Sequence, residues 1–131
     1  MTCFDNLPVK MSSKLDGTIG ESIAEDWLKN HGYRIISKNY RYRKWEVDII
    51  CKLNHELVFV EVKMRQTRKF GEPWLAVNKK KQAAICVAAN HYIQKHDHQG
   101  AVRFDIISIL PDDRQEWAIT HISDAFRPEL I

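Results

Sequence analysis

The 131-residue sequence predicts an α/β domain, a mixed β-sheet flanked by helices. Three observations carry that expectation. Apolar residues recur at helical spacing in two separate segments, near 14–31 and 78–94. Between them lie three strand-like runs whose connections are short enough only for antiparallel neighbours. After the second helix comes Val102 to Leu110, a long apolar run of the kind found at the centre of a sheet.

Taken in order, residues 1–12 are polar and without periodicity, and read as a flexible lead-in to a core spanning about 14–122. In the first helix Ile23, Ala24, Trp27, Leu28 and His31 form one stripe, and Gly32 supplies the stop. Tyr33 to Tyr40 is the first strand, followed by a basic turn, Arg41 to Trp45. Glu46 to Lys52 and Leu57 to Met64 form a hairpin about the polar turn 53–56. A loop with Gly71 and Pro73 leads to the second helix, for which Asn78 is the expected N-cap. Its apolar stripe is Ile85, Cys86, Ala89, Tyr92 and Ile93. Passing from the third strand through this helix to Val102–Leu110 implies a parallel, right-handed crossover. Pro111-Asp112-Asp113 then turns the chain into a shorter edge strand near Trp117–Ile122. The length suits a single domain, 1–131.

Composition removes several function classes. No apolar run approaches the roughly 18 residues of a membrane span, and the first residues lack the layout of a secretory signal. Cys3, Cys51 and Cys86 are odd in number and far apart, which fits free thiols in a reducing cytoplasm. Charge is unevenly placed. Residues 29–81 hold 14 Lys and Arg against 5 acids, whereas the remainder holds 6 against 12. A basic middle on an otherwise acidic chain points to a polyanionic partner, with solvated surface charge as the plainer reading.

The chemistry concentrates on the hairpin. Residues two apart on a strand share a face, so Glu61 projects with Lys63, and Glu46 with Asp48 and Ile50, opposite Val47, Ile49 and Cys51. If Lys52 and Leu57 close the turn, Asp48 and Glu61 become direct cross-strand partners, with Cβ atoms about 4.5–5.5 Å apart. Two such carboxylates repel unless a positive group lies between them. Lys63 is one candidate and a divalent cation the other. Magnesium suits an all-oxygen donor set and could polarise a phosphoryl oxygen; a structural salt bridge is the alternative. Glu21 borders the apolar stripe of the first helix, so it either faces this centre or closes a Thr18-x-x-Glu21 capping box. Gln82 lies on the inward stripe of the second helix and has the same two options.

These residues resemble a known pattern. Gly20-Glu21 on an opening helix, Glu46-Val47-Asp48, then Phe59-Val60-Glu61-Val62-Lys63 match the E…D…ExK signature of the restriction-endonuclease-like PD-(D/E)xK superfamily. More narrowly, Gly32-Tyr33, Phe70-Gly71, Lys80-Lys81-Gln82 and Arg103-Phe104-Asp105 make the chain similar to the YraN-like bacterial proteins. Trp45 stands where that family usually has Gly. The resemblance implies a restriction-endonuclease-like core related to Holliday-junction resolvases. By motif match, Asp48 and Glu61 would bind Mg2+ or Mn2+ with the backbone carbonyl of Val62. Lys63 would be the catalytic lysine and Glu21 a further acid, with Glu46 and Gln82 as accessories. Symmetric pairing as a homodimer is also implied.

Around this centre Arg41, Arg43, Lys44, Arg65, Arg68, Lys69, Lys79, Lys80 and Lys81 could grip DNA phosphates. One or two of Tyr40, Tyr42, Trp45, Phe70 and Trp74 could stack on unpaired bases, the others serving as packing. His91, His96 and His98 lack a matched ligand pattern and read as helix-end residues. No Walker loop, G-x-S-x-G or H-E-x-x-H occurs. The leading functional expectation is therefore a metal-dependent endonuclease acting on branched or single-stranded DNA. The alternatives are a nucleic-acid-binding scaffold with a vestigial site and, more weakly, a domain that binds an acidic protein.

Overall fold

The computed structural model describes residues 2–10, 17–69 and 71–127. Phe70 and the expected first turn of the opening helix, 14–16, lie outside the described residues. The order of elements is β1 (Thr2–Lys10), α1 (Gly17–Asn30), β2 (Arg34–Tyr42), β3 (Trp45–Leu53), β4 (Glu56–Met64), a 3₁₀ turn (Pro73–Ala76), α2 (Lys79–Lys95), β5 (Val102–Pro111) and β6 (Glu116–Ile122). One six-stranded sheet has the order β1-β6-β5-β4-β3-β2. Among the described residues its only parallel pair is β4 with β5, the crossover made by α2. This is a restriction-endonuclease-like core, an α/β fold as expected.

Two expectations about the sheet margin are corrected. The segment read as a flexible lead-in contains β1, which pairs antiparallel with β6. β6 is therefore interior and β1 takes the edge. Backbone pairing needs no apolar alternation, which is why the segment gave no periodic signal. The β1 ladder breaks between Asn6 and Lys10, around Pro8, whose missing N–H is tolerated at an edge or bulge.

The sheet separates two apolar clusters. Ile23, Ala24, Trp27 and Leu28 of α1 pack on Ile49, Cys51, Val58, Val60, Ile107 and Ile109. Ile85, Ala88, Ala89 and Tyr92 of α2 pack on the other face, against Val47, Ile50, Leu57, Phe59 and Phe104. Both helical stripes therefore point inward as their spacing predicts. His31 departs from its stripe: it is exposed and stacks on Trp27 at 3.8 Å. Asn78 caps α2, its side chain accepting from the Lys81 N–H. Gly32, with φ of 87°, ends the first helical segment in a conformation that suits glycine. No helix among the described residues is long and apolar enough to cross a membrane.

The register between β3 and β4 places Lys52 against Leu57 and Ile49 against Val60. The pairing stops there. Beyond Ile49, β3 continues only beside β2, while β4 from Glu61 to Met64 continues only beside β5. The sheet forks at Asp48 and Glu61. Strict alternation also fails at this point, because Val47 joins the α2 cluster although Ile49 belongs to the α1 cluster. Asn39 of β2, opposite the break, has φ of 54°. A left-handed residue reverses the facing of the strand around it, and asparagine tolerates that conformation better than most.

Candidate functional site at the strand fork

A cavity of about 630 Å3 opens at the fork, lined by Glu21, Asn39, Glu46, Asp48, Val62 and Lys63 among others. Helix α1 comes very close to β4 here. Gly20 is buried, and a Cβ on it would stand 3.3 Å from the Met64 Cβ. Absence of a side chain at position 20 lets the helix deliver the next residue, Glu21, into the cavity. Thr18 already lies inside the helix, and Glu21 lines the cavity together with Asn39, Glu46 and Asp48. Of the two readings of Glu21, the structure takes the one facing the sheet.

Asp48 is the hinge of the arrangement. Its Oδ2 accepts from the Val62 N–H at 2.9 Å, so a side chain takes over the hydrogen bonding where the ladder ends. One carboxylate oxygen from each of Glu21, Glu46 and Asp48 lies within 4.8 Å of the other two, the one such three-acid group among the described residues. On the other side Asp48 adjoins Glu61, although the two are not the direct cross-strand partners expected, because the ladder ends at Ile49 and Val60. Glu61 is only 3% exposed, and its Oε2 faces both Lys63 Nζ at 3.7 Å and Lys81 Nζ at 3.1 Å.

Electrostatics follow from this crowding. Burial first, then the adjoining Asp48, push the Glu61 carboxyl up to about 8, against the pull of Lys81 and Lys63. Burial beside a like-charged neighbour favours the protonated form of Glu61, while the two ammonium groups favour its charged form. Glu21 is also raised, by burial and then by Asp48 and Glu46. A cluster that strains to keep its charge is one that a cation would relieve. Carboxylate oxygens are hard donors, and the donor set here fits magnesium or manganese better than a thiophilic metal.

Not every expected residue meets the fork. Gln82 donates to the Val77 carbonyl at 3.0 Å and so serves its own helix end, one of its two predicted options. Arg41 pairs with Glu46 at 2.8 Å and Arg65 lines the cavity. Arg68 pairs with Glu72, while Lys69, Lys79 and Lys80 are exposed on flanking segments. Arg43 and Lys44 form the β2–β3 turn, each lying 5.3 Å from a ring centroid, Tyr42 and Trp45 respectively. Tyr40 and Tyr42 are engaged by α2: the Tyr40 hydroxyl meets His91 Nδ1 at 2.6 Å, and Tyr42 stacks on His91 at 3.9 Å. His91 is thus a packing residue.

A second polar centre, on the α1 side of β5, is absent from the sequence reading. Asp105 is fully buried and accepts four hydrogen bonds: two from Arg103, one from His121 at 2.7 Å and one from the Asp124 N–H at 3.0 Å. Arg103 also donates to the Tyr33 hydroxyl and to Glu56. Trp27 donates its indole N–H to His121 Nδ1 at 3.1 Å. Indole nitrogen only donates, so Nδ1 must accept and the ring proton faces Asp105 from Nε2. The available signal was a charged pair, Arg103 and Asp105, inside an apolar run, where burial without partners is costly.

The family described as "Uncharacterised protein family UPF0102" matches residues 20–109. That span includes Glu21, the whole fork and α2, together with Asp105. Curated relatives named UPF0102 protein extend the similarity. One from Pelobacter propionicus is 43% identical over 113 residues, 84% of this chain and 81% of its own length. One from Clostridioides difficile is 39% identical over 117 residues, covering 88% of this chain and all of the relative. One from Caldicellulosiruptor bescii is 43% identical over 119 residues, with the same coverage of both chains. The chain belongs to the UPF0102 (YraN-like) family.

Proposed function

We propose that this protein is a divalent-metal-dependent endonuclease that hydrolyses phosphodiester bonds in DNA, acting on branched or single-stranded forms. The observation that carries the reading is the meeting of Glu21, Glu46, Asp48, Glu61 and Lys63 at one fork, from three separate elements. Asp48 joins the two halves of that set. It belongs to the three-acid group and touches Glu61, so it is the ligand common to any cation position there. Bound Mg2+ or Mn2+ would polarise a phosphoryl oxygen and acidify a water. The chain's own groups do the rest. Lys63, a fifth exposed, donates to a phosphate oxygen and offsets the charge that grows on it. Glu21, with its raised affinity for protons, is placed to take one from the attacking water. Arg65 at the cavity and Lys81 beside Glu61 grip the DNA backbone, joined by the exposed Arg43 and Lys44 of the β2–β3 turn and by Lys79 and Lys80. Both described thiols, Cys51 and Cys86, are free, which supports a reducing, cytoplasmic setting.

The test is cleavage of a panel of branched, nicked and single-stranded DNAs in Mg2+ or Mn2+. Asp48→Ala and Lys63→Ala are each expected to lower the rate by about 10²–10³-fold. Cleavage at the wild-type rate by both variants would overturn the reading. A second reading draws on the double lysine pairing of Glu61, which leaves that acid already neutralised. It describes a nucleic-acid-binding protein with a vestigial site. It expects salt-sensitive DNA binding kept in Asp48→Ala, and no turnover with any divalent metal.

A further inference from the structure

The first turn of α2 holds Lys79, Lys80 and Lys81 and no acid. This is an unfavourable place for cations, since each adds to the positive end of the helix dipole. Lys81 is the one whose position is used. Its backbone N–H donates to the Asn78 cap at 2.9 Å, which sets where the residue leaves the helix. Its Nζ crosses to β4 and meets Glu61 Oε2 at 3.1 Å, nearer than the Lys63 ammonium at 3.7 Å on the same oxygen. The Lys81 side chain is 40% exposed, whereas Glu61 is 3% exposed. Lys81 thus reaches from solvent to a buried acid that Lys63 already faces.

We propose that Lys81 is a positioning residue that holds Glu61 in the place of a cation, and that a divalent ion entering the fork displaces it. The inference rests on the reading of the fork as a metal site. A single ammonium serves Glu61 only until a dication arrives. After that, two positive charges on one oxygen repel, and the long, half-exposed lysine side chain is the group free to swing back to water. There its charge lies beside the fork, available to a phosphate of the bound nucleic acid.

The probe is Mn2+ alone, titrated into the full chain at pH 8 and followed by the loss of its free EPR signal. Lys81→Gln is expected to bind Mn2+ roughly fivefold or more tighter than wild type, because a competing charge has gone. Lys81→Arg, which keeps the charge, should return to within about twofold of wild type. Lys95→Gln, at the far end of the same helix, should match wild type. A gain of affinity is not what structural damage produces, and thermal melts establish that each variant is folded. Unchanged or weaker binding in folded Lys81→Gln, with wild type binding Mn2+ and Asp48→Ala not binding, overturns the role of Lys81 alone. Failure of wild type to take up Mn2+ overturns the metal site and this inference together.

Discussion

Asp105 and Glu61 stand on neighbouring strands, both nearly without solvent, and their surroundings treat them in opposite ways. Burial would push the Asp105 carboxyl up, yet hydrogen bonds from His121, Arg103 and the Asp124 N–H hold it below the ordinary range. Every lone-pair direction that matters is filled. Glu61 has two ammonium groups, but it also has Asp48 in contact, and its carboxyl is pushed up to about 8. The difference teaches how to tell a satisfied acid from a strained one. A complete set of donors makes a buried carboxylate a fixed part of the framework. A buried carboxylate left with a like-charged neighbour is held under electrostatic strain.

The most severe way to break this comparison is to remove the fixed acid. Asp105→Asn takes from Arg103 its buried charge partner, leaving only the more exposed Glu56, and gives His121 a poorer acceptor; it is expected to cost about 3–5 kcal/mol in urea unfolding. A loss under about 1 kcal/mol would show that the network is dispensable. Removing the strained acid should do the reverse. Glu61→Gln is expected to stabilise the metal-free protein by about 1–3 kcal/mol at pH 8, since Lys63 and Lys81 both have access to water. The sign comes from proton binding. Between the ordinary carboxyl value of 4.5 and about 8, folded Glu61 keeps a proton that the unfolded chain releases. Stability of the metal-free protein therefore falls as pH rises through that window, and the variant should flatten the slope. A wild-type profile that rises from pH 5 to 8 would reverse the assignment. The smallest expected effect is at the rim of the Asp105 network. Trp27→Phe removes the donor to His121 Nδ1 and should cost about 1–2 kcal/mol, read by the same denaturation.

Much of the fold is legible in the sequence because its signals are local. Two helical stripes, two tight turns and the Asn78 cap all rest on residues within a few positions of one another. The site was partly legible for a related reason: once Lys52 and Leu57 close the turn, counting brings Asp48 and Glu61 to one level, but one step past the last pair, Ile49 with Val60, where the ladder has ended. What escaped depends on distant pairs. The break in alternation at Asp48 is made with Asn39 on another strand, and no count along β3 reveals it. His121 lies 16 residues from Asp105 and 94 from Trp27, so nothing in its own neighbourhood marks it. Lys81 looked like one of a run of surface lysines. Only the crossover, which sets the start of α2 above the end of β4, turns it toward Glu61.

The outer margin at β2 has a consequence for the company this protein keeps. The strand skips a pairing step between Ile35 and Ser37, bends again at Asn39, and exposes Arg34, Lys38 and Arg41. A stray chain trying to zip alongside would find mismatched rungs and a row of like charges. Growth of the sheet into fibrils is discouraged on that flank.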